Sequence, residues 1–180
     1  MSHPDSSPSP WIVRWGTLVP SGARVLDVAS GRGRHARWFA ARGAQVVAVD
    51  RDADALAALA GMDGIRTVQA ELEGGPWPFA GERFDAVIVA NYLHRPLFAA
   101  LADAVAEGGW LLYETFMRGN ERYGRPSNPS FLLAPNELLT AFGTDFATLG
   151  FEQGVIGEPA RAVVQRMAAR RGAADGGKIV

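Results

Sequence analysis

Residues 25–36 read Val-Leu-Asp-Val-Ala-Ser-Gly-Arg-Gly-Arg-His-Ala, or VLDVASGRGRHA. A short β-branched-rich run, Arg24 to Val28, carries a carboxylate, Asp27, at its end. A glycine-containing turn, Ser30 to Gly33, then feeds a helical pattern. Glycines at such a turn let the backbone pass close to a ligand, and the start of a helix favours negative groups. A second acid, Asp50, ends the next apolar run, 19 residues beyond Gly31. An acid at the end of the second strand of a doubly wound sheet is placed to accept hydrogen bonds from both ribose hydroxyls of a nucleotide.

Outward from this stretch, strand and helix signals alternate. Upstream, Ser9-Pro10 reads as an N-cap followed by a proline at the first helical position, opening a short helix to about Leu18. Downstream, a helix over Gly33–Arg42 stops at Gly43, and Ala44–Val49 is a second strand. Asp52 caps a helix reaching about Ala60, Ile65–Gln69 is a third strand, and Phe84–Ala90 a fourth. Pro96–Val105 reads as a helix and Gly109–Phe116 as a fifth strand. Such alternation means right-handed βαβ units and a parallel sheet, and the near-continuous apolar strands fit a sheet covered on both faces. Residues 117–134, rich in Arg, Asn, Gly and Pro, read as a long loop, and Pro135–Phe142 as a helix. Two further strand-like runs, 146–156 and 160–169, are joined by Gly157-Glu158-Pro159, too short for a parallel crossover, so they form an antiparallel hairpin. Gln165 and Arg166 make the last run unusually polar for a buried strand. The expectation is a Rossmann-like three-layer α/β sandwich: seven strands, mostly parallel, the last antiparallel. It spans one domain over residues 10–170, with loose tails at 1–9 and 171–180.

Composition narrows the chemistry. The 180 residues are 48% hydrophobic and 21% charged, enough for one sizeable core. Lys plus Arg is 18 against 19 Asp plus Glu, a balance that speaks against tracking a phosphate backbone, although a local basic patch stays open. There is no cysteine, so disulfides, thiolate metal sites and cysteine nucleophiles are excluded. The histidines, at 3, 35 and 94, have no metal-ligand spacing. No stretch approaches the ~18 apolar residues of a membrane span, and the polar Met1–Pro10 does not read as a signal peptide, so the cytoplasm is the expected compartment.

Two cofactor classes use this architecture. Gly31-x-Gly33-x-x-Ala36 also satisfies the dinucleotide pattern G-x-G-x-x-G/A, a weak match by itself. In nicotinamide enzymes the first glycine directly follows the apolar strand and leaves room for a pyrophosphate. Here Gly31 comes four residues after Asp27. A carboxylate would repel a pyrophosphate and stabilise the ammonium of a methionine moiety. The expected cofactor is therefore S-adenosylmethionine, with S-adenosylhomocysteine as product.

Asp27-x-x-x-Gly31-x-Gly33, Asp50 and Phe84-Asp85-x-Val87 together resemble motifs I, II and IV of class I S-adenosylmethionine-dependent methyltransferases, over about residues 20–169. The stretch GGWLLYETFMRGNERYGRPSNPSFLLAPNEL is similar to the small bacterial TehB-like methyltransferases of the tellurite-resistance type. The resemblance implies that Asp27 and the backbone of Ala29, Ser30, Gly31 and Gly33 hold the methionine part. It implies Asp50 on the ribose, Arg51 beside the adenine, and Glu71 with the Leu72 backbone at the adenine amino group, where the family more often has Asp. Asn91 and Tyr92 would flank the methyl group. A base is required only if the acceptor loses its proton early. Candidates are Tyr92, His94 and Glu114. The chain reads Asn91-Tyr92-Leu93-His94, not Asn/Asp-Pro-Pro-aromatic, which counts against amino methylation of nucleobases.

Each of these residues also has a purely structural reading. Asp27 can cap its turn, Glu71 can be a solvated acid, His35 and His94 can serve helix entry, and Glu114 can pair with an arginine. Trp77-Pro78-Phe79 reads as packing beside the third strand. Arg118, Arg122 and Arg125, interleaved with Asn120, Tyr123 and Asn128, are either a solvated face or a lid that recognises an anionic acceptor. The expected activity is in-line methyl transfer to a small-molecule acceptor, anionic if those arginines bind it. A non-catalytic S-adenosylmethionine-binding module and, behind it, a nicotinamide oxidoreductase stay open, as do monomer and homodimer.

Overall fold

A computed structural model describes residues 7–159 and 161–172. The elements are α1 (Pro10–Gly16), β1 (Arg24–Val28), α2 (Arg34–Ala40), β2 (Gln45–Asp50), α3 (Ala53–Ala57), β3 (Ile65–Gln69) and β4 (Phe84–Ala90). They continue with α4 (Phe98–Ala104), β5 (Val105–Phe116), α5 (Glu137–Phe142), β6 (Phe146–Ile156) and β7 (Ala162–Arg171). The seven strands form one sheet in the order β3-β2-β1-β4-β5-β7-β6. β1 to β5 are mutually parallel, and β7, inserted between β5 and β6, is antiparallel to both. The chain steps outward from β1 to β3 and then returns to β4 on the other side of β1. That reversal opens a crevice at the carboxyl ends of β1 and β4, the place where open α/β sheets bind ligands.

Strand side chains alternate between two cores. Leu26, Val28, Val87, Val89, Leu111 and Tyr113 pack with Leu101 of α4 and with Leu138 and Phe142 of α5. Val25, Ala48, Ala86, Ile88 and Leu112 pack with Ile12 of α1, Phe39 of α2 and Leu56 of α3. Both faces are therefore dry, which is why the strands read as unbroken apolar runs. No helix fills the β3–β4 connection. Trp77 and Phe79 pack there instead, Phe79 meeting Trp77 and Phe84 edge-on at 5.3 and 5.7 Å.

Some boundaries differ from the sequence reading. The first helix ends at Gly16 and the third at Ala57, short of Leu18 and Ala60. The expected helix over 96–105 opens with a 3-10 turn at Arg95–Leu97 and gives up Val105 to β5. β5 begins early because Gly108, at φ 70°, lets the strand bulge before rejoining β4, so that Phe84 pairs with Val105 but Ala86 with Trp110. α5 starts two residues late because Asn136 sits at φ 61°.

At the N-terminus Ser9 is buried, its Oγ accepting the Trp11 and Ile12 N–H groups, so the expected loose tail does not reach it. At the other end β7 runs to Arg171, whose guanidinium donates to the carbonyls of Ala102 and Val105. Residues 1–6 and 173–180 of the two expected tails lie outside the described residues. The polar pair in β7 is accommodated by bonding. Gln165, fully buried, accepts the Leu138 N–H at 2.8 Å and donates to Ala134 O and Gln153 Oε1, each at 3.0 Å. No described helix is long and apolar enough to cross a membrane.

Candidate functional site

Asp27 is 1% exposed, and its Oδ2 accepts the Ala36 N–H of α2 at 3.0 Å. Burial pushes its carboxyl up to about 7, against the lowering by that N–H and by Arg34. A buried carboxyl held at the edge of ionisation, with one accepted bond, has capacity left for a cation. The turn beyond it is wound tightly. Ala29, Gly31 and Gly33 have φ of 52°, 52° and 73°, and the Ser30 N–H donates to Val49 O at 3.0 Å, extending the β1–β2 pairing into the turn. Gly33 has a left-handed φ that favours glycine, and a Cβ there would crowd the Leu59 side chain. Among the described residues the buried Ser30 Oγ has no hydrogen-bond partner.

Asp50 is bonded on both oxygens. Oδ2 accepts the Gly31 N–H at 2.7 Å and Oδ1 the Asp52 N–H at 2.9 Å. A carboxylate offers about four lone-pair sites, so about two remain for hydroxyl groups. Arg51 and Glu71 follow at the ends of β2 and β3, Arg51 Nη1 lying 4.0 Å from Glu71 Oε2. Glu71 Oε1 takes the Glu73 N–H at 2.9 Å, and Leu72 is buried in the core between these acids. The Tyr92 phenol is raised above its usual range by burial and by the charges of Glu73 and Glu71. It stays protonated near neutrality, and its ring packs against the core cluster that includes Leu72.

The remaining candidates separate. Asn91 is exposed, at φ 57°, and its N–H donates to Glu114 O at 2.9 Å. The Glu114 carboxylate is 2.6 Å from Arg166 Nε, on the α1 side of the sheet, in a pair whose side chains are 17% (Arg166) and 9% (Glu114) exposed. Arg166 reaches Glu152 on β6 at 3.4 Å and stacks over Trp11 at 6.0 Å. Glu114 is thus engaged structurally. His35 is buried and its Nε2 accepts the Ser9 N–H at 3.1 Å, tying α1 to α2, and burial lowers its pKa to about 3. His94 is half-buried at the entry to the 3-10 turn, and among the described residues its imidazole makes no hydrogen bond.

Residues 117–134 form an anchored excursion. Met117 bridges to Leu133, and the Arg118 N–H donates to Leu133 O at 2.9 Å. Asn120, 1% exposed, takes the Val163 N–H and gives to Pro126 O, each at 3.0 Å. Arg122 and Arg125 are exposed and Arg118 is the more open neighbour of buried Met117, beside Tyr123 and Phe131 at 40% and 46% exposure. Arg95 clasps the far end. It meets Glu137 at 2.6 and 3.0 Å and donates to Ser130 O at 2.8 Å and Leu132 O at 2.9 Å. Neither this clamp nor Tyr113, whose hydroxyl donates to Tyr92 O at 3.0 Å, was legible as a site residue, since each acts through a partner far away in sequence. An open depression of about 620 Å³ beside Glu107, Asp145 and Arg171 lies at the opposite edge of the sheet, where none of the motif residues sits.

Comparison with known proteins agrees with the fold. The methyltransferase domain family matches residues 25–109. TehB from Haemophilus influenzae superposes with a TM-score of 0.69 at 20% identity, over 95% of this chain and 63% of that one. The N-methyltransferase NodS from Bradyrhizobium japonicum, solved in complex with S-adenosyl-L-homocysteine, superposes with a TM-score of 0.70 at 14% identity, over 90% and 84% of the two chains. Ribosomal RNA small subunit methyltransferase C of Chromohalobacter salexigens is 59% identical over 39 residues, which is 22% of this chain and only 12% of that protein. Residues 25–109 thus match a methyltransferase domain model, and the described residues share their fold with TehB.

Proposed function

We propose that this protein is an S-adenosylmethionine-dependent methyltransferase acting on a small-molecule acceptor. The observation that carries the reading is the pairing of two acids at the switch point: Asp27, buried with spare acceptor capacity, and Asp50, folded onto Gly31 with lone pairs free. Asp27 would hold the methionine ammonium, the turn from Ala29 to Gly33 would wrap the methionine, and Asp50 would take the ribose hydroxyls. Arg51, Glu71, Leu72 and Tyr92 would border the adenine. When bound, the cofactor supplies an electrophilic methyl group, so the protein's task is mainly alignment. If the acceptor must lose a proton, His94 is the candidate best placed, because Tyr92 is held protonated and Glu114 is paired with Arg166.

Arg118, Arg122 and Arg125 on the anchored excursion favour a small anionic acceptor. The rRNA methyltransferase relative supports RNA as the second reading. Thermal unfolding with S-adenosylhomocysteine and, separately, with NAD tests the cofactor. Ligand at 100 times its Kd adds about 2.7 kcal/mol, a rise of roughly 5–10 °C. A rise with NAD alone would overturn the reading. Labelled methyl transfer into a metabolite extract, against an RNA pool, decides the acceptor.

A further inference from the structure

We propose that Tyr113 is a positioning residue for the cofactor, holding the Asn91–Tyr92 turn at the end of β4 in the strained conformation the site requires. The inference rests on the S-adenosylmethionine reading above. Asn91 has φ 57°, a left-handed backbone that few side-chain-bearing residues adopt, asparagine more readily than most. Such a residue persists only where its surroundings over-determine it, and such residues cluster at ligand sites. Here β5 supplies two restraints. The Asn91 N–H donates to Glu114 O at 2.9 Å, and the Tyr113 hydroxyl donates to Tyr92 O at 3.0 Å. One bond holds the peptide that precedes Asn91 and the other the peptide that follows Tyr92, so the turn is fastened to β5 at both ends.

Tyr113 is aimed by its packing. It is fully buried and pairs in register with Val89, and its ring lies edge-on to Phe98 and tilted on Phe142, each at 6.2 Å. Phenylalanine would fill the same apolar space. The hydroxyl, whose ionisation burial suppresses, is needed only for the Tyr92 carbonyl. The neighbouring strand ends in the other strained residue of the site, Ala29 at φ 52°, just past Val28, which pairs with Val89. The two distorted turns therefore flank the crevice together.

The test is S-adenosylhomocysteine affinity by calorimetry in a double-mutant cycle of Tyr113→Phe and Asn91→Gly. Tyr113→Phe should weaken binding about 5- to 20-fold in the Asn91 background. In the Asn91→Gly background, where the left-handed turn carries no strain, the same change should cost less than about threefold. An equal loss in both backgrounds, or no loss, would overturn the inference while leaving the cofactor reading intact. Failure of the wild-type protein to bind at all would overturn both. The wild-type protein gives a further check that does not depend on a variant folding. Its Asn91 amide should exchange hydrogen as slowly as the β5 core, and exchange as fast as an open loop would sink the proposal.

Discussion

Asp50 and Gly31, 19 residues apart, are joined at 2.7 Å by a hydrogen bond from the Gly31 N–H to Oδ2, which fastens the end of β2 to the turn after β1. The other oxygen holds the Asp52 N–H at 2.9 Å, just ahead of α3. An amide at position 50 cannot accept both bonds. Asp50→Asn should therefore lower stability by about 1–3 kcal/mol and weaken S-adenosylhomocysteine binding about 10- to 100-fold. Thermal unfolding and calorimetry read the two effects separately. Lost stability with unchanged affinity would make Asp50 a structural fastener only.

On the proposed reading, Asp27 should make cofactor binding depend on pH. Its pKa is raised from 3.8 to about 7. A raised carboxyl contributes stability that is fully present below 3.8 and is lost as pH climbs through 7. The ligand-free Asp27→Asn protein should thus gain on wild type as pH goes from about 6 to about 8. The ionised form is the one that pairs with the ligand's ammonium, so wild-type affinity for S-adenosylhomocysteine should rise roughly tenfold over that interval. The Asp27→Asn substitution should flatten the profile, and a flat wild-type profile would argue against contact between Asp27 and the ammonium.

His35 has the opposite linkage. Its pKa falls from 6.5 to about 3 because the neutral ring is buried and accepts from Ser9. The stability this provides is complete above 6.5 and drains away as pH drops toward 3. His35→Gln, which keeps an acceptor and cannot charge, should lose less stability than wild type between about pH 6.5 and about pH 4, as measured by denaturant unfolding.

Glu114 and Arg166, 2.6 Å apart and largely buried, should behave as a pair. Removing the charge by Glu114→Gln leaves Arg166 facing only Glu152 and should cost about 3 kcal/mol. Adding Arg166→Gln should recover most of it. Methyl-transfer activity that returns with stability in the double variant identifies a structural pair. Activity that stays lost would restore Glu114 as a candidate base.

Arg95 anchors the loop end through Glu137 and two carbonyls. Arg95→Lys keeps the charge but cannot form this fork. Trypsin should then cut after Arg118 or Arg122 at least about tenfold faster than in the wild type. An unchanged digestion rate would show that Asn120 and the Met117–Leu133 bridge suffice.

The spacing Asp27, Gly31, Gly33 and Asp50, and the alternation of apolar runs, were legible because they are local: each depends on residues within one strand–turn–helix unit. β3 and β4 fall on their expected residues, and the short Gly157–Pro159 link correctly implied an antiparallel last strand. Gln165 and Arg166 looked out of place because their partners, Leu138 N and Glu114, are 27 and 52 residues away. The same distance hid the roles of Tyr113 and Arg95, which bond to groups 21 to 42 residues off. By itself the sequence determined the sheet, its handed crossovers and the two acids of the crevice, since periodicity and motif spacing are properties of short segments. Only the tertiary structure decided which polar side chains are free to act and which are bound to one another, because burial and pairing arise when strands distant in sequence are laid side by side.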